Sequence, residues 1–141
     1  MIAIDPYVGV GPLNFGMTEA EVHAQWGSPR MVTTNWLKEA VLAYDEAQVI
    51  LSEGKVIEVT LLPVGSVKVG SIDVYVAPTA FADLCLRDGA PKVMAGSVVL
   101  LNVGVALSGF HDGHVEQKTI SAFARGRWDR FLPKMTSFHA P

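Results

Sequence analysis

The stretch that decides the fold is Met17-Thr18-Glu19-Ala20-Glu21-Val22, followed by Trp26-Gly27-Ser28-Pro29. A threonine three residues before a glutamate forms a capping box. The Thr18 hydroxyl accepts from the Glu21 N–H, and the Glu21 carboxylate accepts from the Thr18 N–H. Gly27 and Pro29 then end the helix. The pattern predicts a helix over residues 18–26, which is too short to be stable unless a sheet supports it.

Strand-like segments follow this helix. Residues 31–36, 41–51 and 56–62 are rich in β-branched and apolar side chains, which is typical of strands. Glu53-Gly54 lies between the last two segments and predicts a hairpin turn. The first half of the chain therefore has the order of a helix and an antiparallel sheet.

The second half follows the same plan. Residues 79–87 predict a helix with Phe81, Leu84 and Cys85 on one stripe, and strands are predicted near 92–94, 98–107 and 115–123. We predict an α+β fold made of two repeated units, each a short helix packed on an antiparallel sheet of three to four strands. The alternative is a coincidental order of elements. The proposed boundaries are one domain over 1–141, with repeats at 1–63 and 67–124 and a C-terminal tail at 125–141.

Composition excludes several classes of protein. Half of the 141 residues are hydrophobic and 18% are charged, which indicates a folded chain with a sizeable core. The single cysteine cannot form an intrachain disulfide, which suits a reducing compartment. We find no secretory signal and no apolar run of the roughly 18–20 residues that span a bilayer. A soluble, cytoplasmic protein that binds no membrane is expected.

Charge is distributed unevenly along the chain. The net charge is −3, but residues 1–65 carry eight acidic and three basic side chains, whereas residues 66–141 carry six and eight. An acidic half disfavours nucleic acid and would attract a cationic partner. The alternative is a hydrated face with no partner.

No group of residues predicts catalysis. His111-Asp112-Gly113-His114 contains metal-ligand residue types, but Asp-Gly is also a hairpin signal, and the turn is the favoured interpretation. Cys85 shares an apolar stripe and is read as a small buried hydrophobe. The sequence contains no nucleophile elbow and no phosphate-binding loop. We therefore predict no enzyme activity, no catalytic residue, no bound metal and no cofactor.

A partner-binding face is predicted from exposed polar and aromatic positions. Alternation along residues 44–50 places Tyr44, Glu46 and Gln48 on one side of a strand. Trp36 follows a polar run and is the tryptophan most expected at a surface, where this residue type often anchors an interface. The predicted partner-binding residues are Trp36, Glu39, Tyr44, Asp45, Glu46, Gln48 and Glu58.

The opening of the chain resembles known families. The motif is Gly11-Pro12-Leu13-Asn14-Phe15-Gly16-Met17-Thr18, then Trp26-Gly27-Ser28-Pro29. It is similar to the start of small outer-membrane-assembly lipoproteins and to each half of the tandem β-lactamase-inhibitor-protein fold. Similar openings recur in small cytosolic proteins, some of which are regarded as immunity proteins for secreted toxins. The chain lacks the lipoproteins' lipid-attachment cysteine and the secreted inhibitors' disulfides.

The resemblance implies a scaffold whose sheet or loops bind another protein. It points to an immunity protein that blocks a bacterial toxin with a cationic surface by occluding it. The alternatives are a small-molecule or metal-binding domain that uses His111 and His114, and a homodimeric scaffold protein.

Overall fold

The computed structural model describes residues 2–110 and 118–139, which form an α+β fold with two sheets. The helices among these residues are α1 (Glu19–Trp26), α2 (Ala80–Asp88) and a 3-10 helix (Asp129–Lys134). The strands before α2 are β1 (Ile2–Asp5), β2 (Gly9–Val10), β3 (Leu13–Asn14), β4 (Met31–Thr34), β5 (Ala40–Ala43), β6 (Ala47–Ser52), β7 (Lys55–Leu61), β8 (Val67–Val69) and β9 (Ile72–Asp73). The strands after α2 are β10 (Lys92–Met94), β11 (Ser97–Leu100), β12 (Val105–Ser108), β13 (Thr119–Phe123) and β14 (Thr136–Ser137).

The larger sheet has nine described strands in the order β14-β10-β11-β12-β13-β7-β6-β5-β4, and all the pairs among them are antiparallel. Each α-helix precedes four strands of this sheet that pair in sequence order. The two four-stranded groups meet where β7 pairs with β13, with Thr60 opposite Ser121. The smaller sheet has the order β3-β2-β1-β8-β9, and its β1–β8 pair is parallel.

Helix α1 begins as the sequence predicts. Thr18 is the N-cap, its side chain accepts from the Glu21 N–H, and the Glu21 side chain accepts from the Thr18 N–H. Val22 is fully buried and Met17 packs partly against the same core. Backbone hydrogen bonds join Gly16 and Met17 to Val56, so the start of α1 is tied to β7.

We call the side of the larger sheet that carries Leu42, Val59, Leu61, Val98 and Leu107 the core face. These side chains are buried in one cluster with Val22 of α1 and Leu84 of α2. The same cluster includes apolar residues of the smaller sheet, such as Ile4, Val10 and Val67. Both helices and the smaller sheet therefore cover the core face.

The opposite side, the outer face, is more polar. It carries Gln48, Glu58, Thr60, Ser108 and Ser121, which alternate with core-face residues along their strands. A second cluster made of Val99, Ala106 and Phe123 lies on this face under the C-terminal segment. The outer face is therefore covered in part and open in part.

Two predicted strands each form a hairpin instead. The run 41–51 is divided into β5 and β6 by a turn at residues 44–46, and the run 98–107 is divided into β11 and β12 by a turn at 101–104. Both runs are apolar on either side of their turn, so periodicity does not mark the break. The Glu53-Gly54 turn is confirmed, with both residues at positive φ. The predicted turn at Asp112-Gly113 lies outside the described residues.

Candidate functional site

The outer face contains a cavity of about 290 Å³, which we call the Trp36 cavity. Its apolar lining includes Trp36, Leu37, Ile50, Met94, Trp128 and Phe131, and its polar lining includes Glu58, Ser97, Ser108, Ser121 and Arg127. The floor comes from the strands of both halves of the larger sheet. The walls come from the β4–β5 turn and from the segment that follows β13.

The β4–β5 turn presents Trp36 in a fixed position. The Asn35 N–H donates to the Glu39 carbonyl at 3.0 Å, and Lys38 has a positive φ of 63°. This geometry is that of a three-residue hairpin loop with a bulge. The Asn35 side-chain oxygen accepts from the Leu37 and Glu39 N–H groups, each at 3.0 Å. Trp36 is therefore 78% exposed on a loop that its own hydrogen bonds hold.

Aromatic rings continue the wall on the C-terminal side. The ring of Trp36 lies 6.0 Å from that of Phe131, and Phe131 in turn makes an edge contact with Trp128 at 5.7 Å. Trp128 also contacts Phe123 of β13, edge to face at 6.1 Å. Such pairs favour one arrangement of the rings, and they join the exposed Trp36 to the sheet.

A buried ion-pair network anchors this wall. Arg127 donates from Nη1 to Glu39 Oε2 at 2.5 Å and from Nε to Glu58 Oε1 at 3.0 Å. The side chains of Arg127 and Glu39 are 8% and 5% exposed, respectively, and that of Glu58 is 12% exposed. Burial of charge is costly unless the charge is paired. The network therefore fixes the C-terminal segment to the β4–β5 turn and to β7.

The two carboxyl groups differ in pKa. Burial raises the pKa of Glu39, but hydrogen bonds from Arg127 and Asn35 outweigh burial and hold this pKa below its ordinary value. For Glu58, burial outweighs the contact with Arg127, and its pKa lies above the ordinary value. Burial lowers the pKa of Arg127, but its two carboxylate partners more than compensate and raise it.

Hydroxyl groups line the floor of the cavity. Ser97 and Ser108 face each other at 2.7 Å between their oxygens, as do Thr60 and Ser121. Thr60 lies two residues from Glu58 on the same face of β7. The Thr60–Ser121 pair lies at the junction of β7 and β13, beside the ion-pair network. The floor offers hydrogen-bonding groups beneath apolar walls, a combination that suits an inserted side chain or a small polar molecule.

The structure brings only some of the predicted partner-binding residues together. Trp36, Glu39 and Glu58 belong to the Trp36 cavity or its supporting network. Gln48 is exposed on the outer face of β6, opposite Thr60.

The remaining three predicted residues lie elsewhere. Tyr44, Asp45 and Glu46 line a separate cavity beside the end of α1. Tyr44 supports that helix, because its hydroxyl donates to the Gly27 carbonyl at 2.9 Å and its ring meets Trp26 edge to face. Asp45 pairs with Arg30 at 2.8 Å. The seven residues therefore do not form one site.

The expectation that Glu39 and Glu58 form an exposed acidic surface is wrong. Both carboxylates point at Arg127 and are largely removed from solvent. Arg127, Trp128 and Phe131 lie in the predicted tail and are not among the predicted partner-binding residues. An arginine next to a tryptophan, a few residues from other aromatic side chains, was the available signal, because arginine often pairs and stacks where it is buried. Nothing local indicates which carboxylates it meets.

Two further predictions concern reactive groups. Cys85 is buried in the main core, and burial raises the pKa of its thiol, as expected for a structural residue. The described residues contain no group of three or more histidine, cysteine, aspartate or glutamate side chains that could hold a metal ion. His111 and His114 lie outside these residues.

The described helices are all too short or too polar to cross a membrane. Comparison with protein-family models, characterised proteins and solved structures gives no match.

Proposed function

We propose that this chain is a protein-binding inhibitor of the immunity-protein kind, which occludes its partner with the surface around the Trp36 cavity. The observation that carries the proposal is Trp36 itself, a large apolar side chain that is 78% exposed on a rigid loop beside a concave pocket. Tryptophan is the residue type most enriched among interface hot spots, and hot spots cluster in and around such pockets.

The ionisable groups of the cavity support binding rather than chemistry. Arg127 engages both Glu39 and Glu58, so these charged groups already have partners within the chain. The cavity of about 290 Å³ lies just below the usual range for small-molecule sites, roughly 300–1,000 Å³. A single large side chain of a partner protein matches this space.

Charge has a smaller part in the proposal than the sequence suggests. Glu39 and Glu58 are neutralised inside the protein, and Asp45 is paired with Arg30. Apolar contact at Trp36 is therefore the main source of affinity, and attraction to a cationic partner surface is a secondary contribution from the acidic first half.

The proposal includes the repeat interpretation of the fold. Each α-helix is followed by four antiparallel strands, and the two sets join through β7 and β13. This order of elements supports two related units at 1–63 and 67–124, with the binding surface formed across their junction. The C-terminal segment 125–141 would then be an addition that walls the cavity.

The test uses a matched pair of surface variants. Trp36→Ala and Leu86→Ala each remove a large apolar side chain of nearly equal exposure, 78% and 79%. Leu86 lies on α2, which covers the core face of the sheet and not the outer face that holds the Trp36 cavity. The candidate partner is the product of the adjacent gene in the native host, co-expressed with the chain. Protection of cells and the dissociation constant of the purified pair are measured for all three proteins.

We expect Trp36→Ala to weaken binding by about 30-fold, since a hot-spot side chain contributes about 2 kcal/mol or more. Leu86→Ala should bind and protect like the unmodified chain. Equal binding by both variants would refute the role of Trp36. A chain that neither binds nor protects against the adjacent product would refute the immunity function.

A small-molecule-binding domain is a second candidate, favoured by one observation. The floor of the cavity carries the hydroxyl groups of Ser97, Ser108 and Ser121 beside Glu58 and Arg127. A fragment library screened by NMR separates the two candidates. Fragments that shift the indole signals of Trp36 and Trp128 at micromolar concentration would favour the small-molecule function. If no fragment shifts these signals at millimolar concentration, the small-molecule function is excluded.

A further inference from the structure

Strand β4 forms one end of the nine-stranded sheet, and in the described part of the chain it pairs only with β5. All four of its residues are exposed, and Met31 and Val32 expose 59% and 55% of their surface. The other ends of the two sheets are β14, β3 and β9, each of two residues. Strand β4 is therefore the longest open edge among the described strands.

The hydrogen-bonding groups that point outward can be identified from the register. The Asn35 N–H donates to the Glu39 carbonyl, and Thr33 lies opposite Val41 in the same register. In an antiparallel pair, residues alternate between facing the neighbouring strand and facing away from it. The N–H and C=O groups of Val32 and Thr34 therefore point away from the sheet.

Residues 31–34 themselves lack the usual protection against pairing, although Pro29 and Arg30 come directly before them. Natural edge strands commonly carry lysine or other charges, proline or bulges that block a further strand. Residues 31–34 are Met-Val-Thr-Thr, with no charge and no proline. The neighbouring Arg30 is held by Asp45 at 2.8 Å, so its charge is compensated. A strand of the same sequence would meet no like-charged side chain within β4.

We infer that β4 pairs antiparallel with β4 of a second copy of this chain, around a two-fold axis at Thr33. The outward groups of Val32 and Thr34 are symmetrically placed about Thr33. Val32 of one copy therefore exchanges two hydrogen bonds with Thr34 of the other, and the reverse pair adds two more. A second copy presents the same four-residue uncharged edge, so no like charges within β4 oppose the pairing. The pairing also covers Val32 and continues the sheet through both copies.

In this antiparallel pairing, Thr33 lies directly opposite the same residue of the second copy. Thr33 faces Thr33 of the second copy as a non-hydrogen-bonded pair, with Cα atoms about 4.5 Å apart. A disulfide requires Cα atoms about 4.4–6.8 Å apart. Val32 and Thr34 face each other and not their own copies. A cysteine at 33 should therefore cross-link the dimer, whereas a cysteine at 34 should not.

The experiment places Thr33→Cys and Thr34→Cys separately in a Cys85→Ala background and follows oxidation on non-reducing gels. We expect a covalent dimer to form at least tenfold faster with the cysteine at 33 than with the cysteine at 34. Equal rates would overturn the proposed register. The oxidation is repeated in urea, where the difference between the two positions should disappear.

Light scattering on the unmodified chain tests the dimer directly, together with two matched lysine variants. Val32→Lys charges the β4 edge, and Val76→Lys charges a valine of 69% exposure elsewhere. We expect a dimer for the unmodified chain and for Val76→Lys, and a monomer with an unchanged circular dichroism spectrum for Val32→Lys. A monomeric unmodified chain at 100 µM, a concentration chosen on the order of weak homodimer affinities, would overturn the inference. So would a dimer that Val32→Lys leaves intact. Neither outcome depends on the proposed inhibitor function.

Discussion

Arg127 and Glu39 lie 88 positions apart in the chain and form the closest ion pair of the Trp36 cavity, with Nη1 and Oε2 at 2.5 Å. Because Glu58 shares the same guanidinium, one side chain compensates two buried carboxylates. The contact brings the segment after β13 over the outer face and thereby creates the wall of the cavity. Shape and stability at this site therefore depend on one residue.

Replacing Arg127 by methionine should destabilise the fold strongly. The methionine fills similar space but leaves Glu39 and Glu58 buried without a cation, which typically costs about 3–5 kcal/mol. The matched control is Arg30→Met, whose exposed pair with Asp45 should contribute less than about 1 kcal/mol. Urea denaturation at pH 7 measures both changes. Similar losses for the two variants would contradict the burial of the network.

The two carboxylates should influence stability in opposite directions as pH changes. Glu39 has a lowered pKa in the folded state, so its contribution is present above its unfolded pKa and is lost as pH falls through the folded pKa. Glu58 has a raised pKa, so its contribution is present below its unfolded pKa and is lost as pH rises through the folded pKa.

Glutamine substitutions at the two positions separate these effects. Relative to the unmodified chain, Glu39→Gln should become more destabilising as pH rises from about 3 to 7, a range that spans ordinary carboxyl pKa values. Glu58→Gln should become less destabilising over the same range. Urea denaturation series at several pH values measure both trends. Parallel trends for the two variants would show that the pKa shifts have been assigned the wrong direction.

Replacing Gly104 by alanine should destabilise the fold for two separate reasons. Gly104 has a φ of +89°, and a Cβ there would lie 3.0 Å from the ring of Tyr7. Tyr7 is itself held, because its hydroxyl donates to the Leu101 carbonyl and its ring meets Phe123. The backbone strain contributes about 1–2 kcal/mol, and the crowding of the ring adds about 1–3 kcal/mol.

Gly126→Ala is the control for the strain alone. Gly126 has a similar φ of +84°, but the nearest atom to an added Cβ is at 3.5 Å, an ordinary contact distance. We expect Gly104→Ala to lower the free energy of unfolding by more than Gly126→Ala does. In a Tyr7→Ala background the two glycine variants should cost about the same. A difference that persists in that background would exclude the Tyr7 ring as its cause.

Local signals predicted the parts of the fold that local chemistry determines. The capping box at Thr18 and Glu21 and the hairpin turn at Glu53-Gly54 each depend on a few neighbouring residues, and both are present. The α+β class follows from the same signals. The breaks within 41–51 and 98–107 were missed because apolar residues continue on both sides of each turn.

The candidate site was only partly predictable, for a physical reason. Trp36 was correctly expected at the surface, since it follows the polar residues Thr33, Thr34 and Asn35. The pairing of Glu39 and Glu58 with Arg127 joins residues 88 and 69 positions apart, and no short-range pattern encodes it. The local sequence around an acidic residue in a strand therefore does not show whether its carboxylate is exposed to water or paired with a buried arginine.

The junction of β7 and β13 has a consequence for how the chain acquires its structure. Within each half, successive strands of the larger sheet are joined in sequence order, so most of those pairs close short loops. Glu58 and Phe123 at the junction must instead find each other across more than sixty positions. Strand pairing between distant segments is slow. The β7–β13 pair should therefore be the last part of the sheet to form. Until it forms, β7 and β13 are unpaired edges with which a strand of a neighbouring chain could pair.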